Sequence, residues 1–148
     1  MAVIAAGLAV VSVLGHICTT DEIVLQQRAA DQWAFSQAKD IRRYESQVAV
    51  DILAHLPQGA EQSQHYRDNL ARYGTETEEN REKAREFEAE RDMRHKQALR
   101  LHIGEVLLEI AVVLASLAIL SKRPLLWWLA IGGSMAGVII AATTALIR

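Results

Sequence analysis

The chain has 148 residues, 51% of them hydrophobic and 23% charged, and a formal net charge of −2. Its single cysteine, Cys18, excludes an internal disulfide and a closed Cys/His zinc site, so we expect no metal and no cofactor. Acidic and basic residues alternate without forming the basic face that a nucleic-acid-binding protein needs, so we expect no nucleic-acid partner. No nucleophile–base pair or phosphate-binding glycine loop is visible, which argues against an enzyme.

The charged residues are concentrated in the middle of the chain. Residues 1–20 carry none of the 34 charged side chains and residues 101–148 carry five, so the other 29 lie in residues 21–100. A mean hydropathy close to zero therefore averages two very different compositions. This distribution predicts a membrane protein with a highly charged insert.

Residues 1–20 are predicted to form the first transmembrane helix. The apolar stretch Ala2–Thr20 is long enough, at about 1.5 Å per residue, to cross a hydrocarbon core of roughly 30 Å. The alternative is a cleaved signal peptide, which requires a positively charged segment before its apolar stretch. No Lys or Arg precedes this stretch, so we interpret it as an uncleaved span.

Residues 101–120 and 125–148 are the second and third predicted transmembrane helices. The basic loop 121–124 between them is short enough to require an antiparallel pair of helices, and Pro124 suits the first position of a helix. Cations and indoles next to a short loop are typical anchors at the lipid–water interface. The predicted anchors are Lys122, Arg123, Trp127 and Trp128.

Residues 21–100 are predicted to form a long antiparallel helical hairpin, a coiled coil that turns near residues 57–59. Apolar residues recur at intervals of three and four on both sides of this turn. Pairing about the turn brings Tyr44 near Tyr73, and Trp33 near Ala84. The predicted seam consists of Trp33, Ile41, Tyr44, Val48, Ile52, Tyr66, Leu70 and Tyr73.

Two features of this topology have alternatives. The second arm either ends and restarts at Gly74, because Thr75–Glu78 resembles a capping box, or continues through the glycine. The basic loop favours a cytoplasmic position, which places the N-terminus inside and the hairpin in the periplasm. Basic residues just before residue 101 favour the opposite orientation, but long translocated segments largely escape this charge rule.

The sequence also resembles a known family in three segments. These are Asp31–Lys39, with the string Asp-Gln-Trp-Ala-Phe-Ser-Gln-Ala-Lys, then Tyr66–Tyr73, and Glu105–Ser116. They resemble the family called domain of unknown function 4337, a group of uncharacterised bacterial inner-membrane proteins. The resemblance implies a three-span protein of the bacterial inner membrane, and it implies no activity.

Several polar residues fall inside the predicted first and second spans, where polar groups are rare and are candidates for function. The antiparallel arrangement brings them to one end of the two helices, where they join the helices, bind a divalent cation or relay protons. This predicted polar cluster is Ser12, His16, His102, Glu105 and Glu109.

A ridge of small residues recurs every fourth position in the third span and includes a GxxxG motif. Such ridges let helix backbones approach closely, either within one chain or between chains. The ridge consists of Gly133, Gly137, Ala141 and Ala145.

We therefore expect an all-α membrane protein with three transmembrane helices and a hairpin between the first two. Its expected function is that of a non-enzymatic oligomeric scaffold or accessory subunit, acting through the hairpin and the ridge. Its expected partners are the lipid bilayer and either further copies of itself or the subunits of a larger membrane complex. The alternative is an oligomeric ion or proton pathway that uses Glu105 and Glu109.

Overall fold

The computed structural model describes residues 2–57 and 59–146, and within these residues it is helical throughout, with no strand. Its elements are α1 (Ala2–Leu53), α2 (Gly59–Gln62), α3 (Gln64–Ser121), α4 (Pro124–Ala142) and a 3₁₀ turn (Thr143–Leu146). Three helical stretches are long and apolar enough to cross a membrane. The all-α class is thus confirmed. Met1 in the predicted first span, Gln58 in the predicted turn and residues 147–148 in the third span lie outside the described residues.

Helices α1 and α3 are unusually long, at 52 and 58 residues. Neither contains a proline, which is the residue that most strongly interrupts a helix. Of the two alternatives for Gly74, the structure has the continuous helix, because Gly74 lies inside α3.

The turn between the long helices lies where proline and glycine predict it. Helix α1 ends at Leu53, and the next helix begins at Gly59. A Cβ atom built on Gly59 would lie 1.8 Å from the carbonyl oxygen of Leu53. Only glycine fits this approach, so Gly59 fixes the place where the chain reverses.

The chain divides into two compact units, which are described separately. The apolar unit comprises Met1–Val24 and Glu90–Arg148, and the charged unit comprises Leu25–Ala89. In the apolar unit, the buried side chains of Val11, Leu101 and Leu108 form the centre of the core. The residues packed around this centre are Ile4, Leu8, Cys18 and Ala141.

In the charged unit, the buried surface between α1 and α3 is built from small side chains. Apart from Leu25, the buried residues of the two long helices in this unit are Ala29, Ser36, Ser46, Thr77 and Ala84, and Gly59 and Ser63 are buried near the turn. The indole N–H of Trp33 donates a hydrogen bond to Glu88 at 2.9 Å. Lys39, which follows Trp33 on α1, contacts Glu76, which precedes Glu88 on α3. The two helices therefore run in opposite directions in this unit, and their small buried residues permit a close approach.

Five of the eight residues of the predicted seam are exposed, so for these five the prediction is wrong. Ile41, Tyr44, Val48 and Ile52 have 59, 65, 56 and 59% of their surface exposed. Tyr66 is also exposed, at 37%. Of the other predicted residues, Trp33, Leu70 and Tyr73 are half-buried. The prediction assumed that the largest apolar side chains face the partner helix, but small residues occupy that position.

The connection from α3 to α4 is as short as predicted. Lys122 adopts a left-handed backbone conformation with φ of 52°, which ends α3. Arg123 is extended, and Pro124 takes the first position of α4, where its missing N–H is not needed.

Candidate functional site

Polar groups of α1 and α3 join inside the apolar unit. His102 lies 3.2 Å from the Thr19 hydroxyl through Nε2, and its Nδ1 lies 3.2 Å from Oε2 of Glu105. The Ser12 hydroxyl lies close to the Glu105 side chain. We call Thr19, His102, Glu105 and Ser12 the polar chain. It links the two helices at two levels, about two helical turns apart on α1.

The hydrogen bonds of the polar chain hold the His102 ring between α1 and Glu105. The Thr19 hydroxyl donates to the carbonyl oxygen of Gly15 at 3.0 Å, so it accepts a hydrogen bond from Nε2–H of His102. The Nδ1 atom of His102 faces Oε2 of Glu105 at 3.2 Å. Hydrogen bonding between these polar groups makes their presence in an apolar unit less costly.

Of the five residues of the predicted polar cluster, His102 and Glu105 are joined by a hydrogen bond, and Ser12 lies close to Glu105. His16 is exposed and lies beside a surface cavity together with Asp21. Glu109 is also exposed, and within residues 2–57 and 59–146 it has no hydrogen bond or ion pair. No group of three metal-ligating side chains is found among the described residues.

Sequence reasoning missed Thr19 and Gly15. Thr19 follows Ser12 by seven residues, so both lie on the same face of α1. Gly15 is buried against the His102 ring, since a Cβ atom at Gly15 would lie 3.6 Å from the ring. A search for small polar residues at heptad spacing from Ser12 would have found Thr19.

A hydrogen-bond contact and an ion pair join α1 to α3 at the charged end of the apolar unit. Nδ1 of His95 lies 3.0 Å from Glu22, and Nε of Arg94 lies 3.7 Å from Asp21. The Glu22 side chain is about three-quarters covered, and the other three side chains are more exposed. Such exposed contacts add little stability individually.

The small-residue ridge of α4 packs against α3 of the same chain. Cβ atoms built on Gly104 and on Gly137 would each lie 2.9 Å from the carbonyl oxygen of the other glycine. Gly133 faces Ala111, and Ala141 faces Gly104. Of the four ridge residues, only Ala145 is exposed. The ridge is therefore occupied inside the chain, and Gly104 is the partner that the sequence analysis missed.

The charged unit carries an apolar stripe on α1, defined by Ile41, Tyr44, Val48 and Ile52. At 100° per residue these four side chains fall within one quarter of the helix circumference. Ser36 and Ser46, which face α3, lie on the opposite side of the same helix. A row of large apolar side chains is thus exposed over three turns.

Charged side chains flank the buried surface of the charged unit. The Arg81 guanidinium donates to Asp40 at 2.7 Å and to the hydroxyl of the buried Ser36 at 3.3 Å. The Lys39 ammonium donates a hydrogen bond to Glu76, which lowers the pKa of that carboxyl below its ordinary value. Lys39 also lies 5.4 Å from the centre of the Tyr73 ring.

The predicted interface anchors lie together at the connection between α3 and α4. Lys122 and Arg123 are exposed in the loop, and Trp127 and Trp128 are exposed in the first turns of α4. They line a surface cavity of about 270 Å³.

A family model described as Domain of unknown function (DUF4337) matches residues 1–147. The comparisons found no matching curated protein and no matching solved structure.

Proposed function

The chain belongs to the DUF4337 family, and from its geometry we propose that it is a non-enzymatic integral membrane protein that acts as an oligomeric scaffold or accessory subunit. In this proposal α1, α3 and α4 each cross the bilayer with the part that lies in the apolar unit. The charged unit forms an antiparallel coiled-coil hairpin outside the bilayer. The bilayer is the bacterial inner membrane, and the hairpin lies in the periplasm.

The proposal rests on the exposure of the apolar stripe in the charged unit. Full burial of a large apolar side chain stabilises an association by about 1.5–3 kcal/mol. Four such side chains in one row make a surface that favours contact with another helix. The spacing of Ile41, Tyr44, Val48 and Ile52 is that of a coiled-coil face, yet α3 does not cover it.

The ridge of α4 packs within the chain, so we assign contacts between chains to another part of the molecule. The sequence predicted contacts between chains through both the hairpin and the ridge of α4. Because Gly133, Gly137 and Ala141 pack against α3, we now assign association to the apolar stripe alone.

The mass of the purified protein in a mild detergent tests the proposal. The chain has a mass of 16.4 kDa, and light scattering combined with absorbance gives the protein part of a detergent complex. We expect a multiple of the single-chain mass, or a complex with other membrane subunits. A particle containing one chain and no other protein would refute the proposal.

An ion or proton pathway is the second candidate, and the polar chain favours it. Nδ1 of His102 lies within hydrogen-bond distance of Glu105, as neighbouring members of a proton relay do. The exposed carboxyl of Glu109 lies one helical turn further along α3. In proteoliposomes, this candidate predicts a proton flux that Glu105→Gln and Glu109→Gln abolish. Absence of flux through the unmodified protein would eliminate it.

A further inference from the structure

The connection between α3 and α4 forms a small concave surface. The cavity has a volume of about 270 Å³, slightly below the usual range for ligand pockets. Its lining combines two cations, two indoles and two small apolar residues. These residues are Ala118, Lys122, Arg123, Pro124, Trp127 and Trp128.

The positive charge of this cavity is not neutralised by the chain. Neither Lys122 nor Arg123 forms an ion pair within the part of the chain that the structure describes. The last acidic residue in the sequence is Glu109, more than three helical turns before the loop. The two cations therefore attract an anion from outside the protein.

The first turn of α4 adds hydrogen-bond donors to the same place. Arg123 occupies the N-cap position and makes no side-chain capping hydrogen bond. Pro124 has no N–H, so the first free backbone donors are those of Leu125 and Leu126. An anion beside the loop would accept these hydrogen bonds and would interact favourably with the positive end of the helix.

The indoles indicate which anion fits. Trp127 and Trp128 have 56 and 70% of their surface exposed. Exposed indoles are favoured at the level of lipid headgroups, where the ring contacts acyl carbons and the N–H contacts polar groups. A free phosphate ion has no apolar part that could contact these rings, whereas a phospholipid has both a phosphate and acyl chains.

We infer that this cavity binds the phosphate of an anionic phospholipid, with Lys122 and Arg123 holding the headgroup and Trp127 and Trp128 packing against its acyl chains. The inference rests on the membrane insertion that the proposed function assumes. Each basic residue near an anionic lipid surface raises local binding by about fivefold. We therefore expect the anionic lipid to be enriched at the site by roughly tenfold or more.

Tryptophan quenching by brominated lipids in nanodiscs tests the inference. The full-length protein is placed in two mixtures of identical headgroup composition, with the anionic lipid as a minor component. Bromine is on the acyl chains of the anionic lipid in one mixture and of the zwitterionic lipid in the other. Trp33, the remaining tryptophan, lies in the charged unit and supplies an unquenched background.

The variants separate a site from general attraction to charge. The double variant Lys122→Gln/Arg123→Gln removes two charges at the cavity, and Lys83→Gln/Lys96→Gln removes two exposed charges elsewhere on α3. We expect quenching by the anionic lipid to exceed its share of the mixture in the unmodified protein and in the control. In the cavity variant, we expect quenching by the anionic lipid to fall to the level given by its fraction of the mixture.

Each other outcome overturns a specific statement. Quenching in proportion to composition would overturn the lipid site while leaving membrane insertion intact. No quenching by either lipid would overturn membrane insertion, and the site with it. An equal loss of excess quenching in the control variant would show that the anionic lipid is attracted to positive charge in general and binds no specific site. Loss of the excess on adding inorganic phosphate would show that the cavity selects the free ion rather than the lipid.

Discussion

The apolar unit and the charged unit differ in the large side chains that they bury. In the apolar unit, Val11, Leu101 and Leu108 fill the core, and the glycines of α3 and α4 meet backbone to backbone. In the charged unit, Leu25 is the large aliphatic residue buried among alanine, serine and threonine, and the apolar stripe of α1 is exposed. The apolar unit therefore joins its helices through both large side chains and glycines, whereas the charged unit leaves the apolar stripe uncovered.

Enlarging Gly137 is expected to have the largest effect, because it breaks the packing of the apolar unit. The carbonyl oxygen of Gly104 lies 2.9 Å from the position of an added Cβ atom, and helix backbone cannot move aside easily. We expect Gly137→Leu to destabilise the protein by about 3 kcal/mol. A titration with a denaturing detergent, followed by far-ultraviolet circular dichroism, measures this loss.

Gly132→Leu is the matched control in the same helix. A Cβ atom at Gly132 meets nothing within 4 Å, so the substitution should leave stability unchanged or slightly increased. Equal destabilisation by the two variants would contradict the assignment of the ridge to a contact inside the chain.

Removing Arg81 tests the charged flank of the charged unit. Its guanidinium binds Asp40 and the hydroxyl of the buried Ser36, and two-thirds of its side chain is covered. We expect Arg81→Gln to cost about 1 kcal/mol at low ionic strength and less at high salt. Urea unfolding with and without salt measures the difference. Arg85→Gln, at an exposed position of the same helix, should have almost no effect.

Thr77 is a point where the charged unit can be made more stable. The residue is completely buried, and its hydroxyl oxygen has no hydrogen-bond partner among the described residues. Thr77→Val keeps the shape and removes the unsatisfied group, so we expect a gain of about 1 kcal/mol. Thr75→Val provides the comparison, because the exposed Thr75 hydroxyl already donates to Ala71. A loss of stability in Thr77→Val, measured by urea unfolding, would show that the hydroxyl is satisfied.

The pH dependence of the charged unit should show the smallest effect. The hydrogen bond from Lys39 lowers the pKa of Glu76 in the folded protein, so its contribution is present above the ordinary value of 4.5. This contribution is lost as the pH falls through the lowered folded pKa. Urea unfolding from neutral to acidic pH should show a weaker acid dependence in Glu76→Gln than in the exposed control Glu79→Gln. Identical acid dependence in these two variants would contradict the role of Lys39.

Periodicity and composition predicted the all-helical class and the three long apolar helices. Pro57, Gly59 and Pro124 indicate where helices end, because these residues constrain the backbone locally. Within the charged unit, the observed contact of Trp33 with Glu88 lies one helical turn from the predicted pairing with Ala84.

The sequence was less informative about which face of each helix meets its neighbour. Hydrophobic spacing identifies an apolar face but does not say whether this chain covers it, so Ile41 and Val48 were assigned to the wrong contact. Small residues such as Ser36 and Thr77 give no hydropathy signal, although they form the buried surface. In the polar cluster, Thr19 was missed because it lies at the end of the predicted first span, where a threonine is common.

The oligomeric state of a stripe variant tests the central claim most directly. Ile41→Glu/Val48→Glu places two charges in the apolar stripe, while Phe35→Glu places one at a similarly exposed position outside it. Light scattering in mild detergent gives the mass, and circular dichroism verifies that each variant retains its helices. We predict that the stripe variant falls to the single-chain mass of 16.4 kDa and that Phe35→Glu keeps the mass of the unmodified protein. A folded stripe variant with an unchanged mass would contradict the claim.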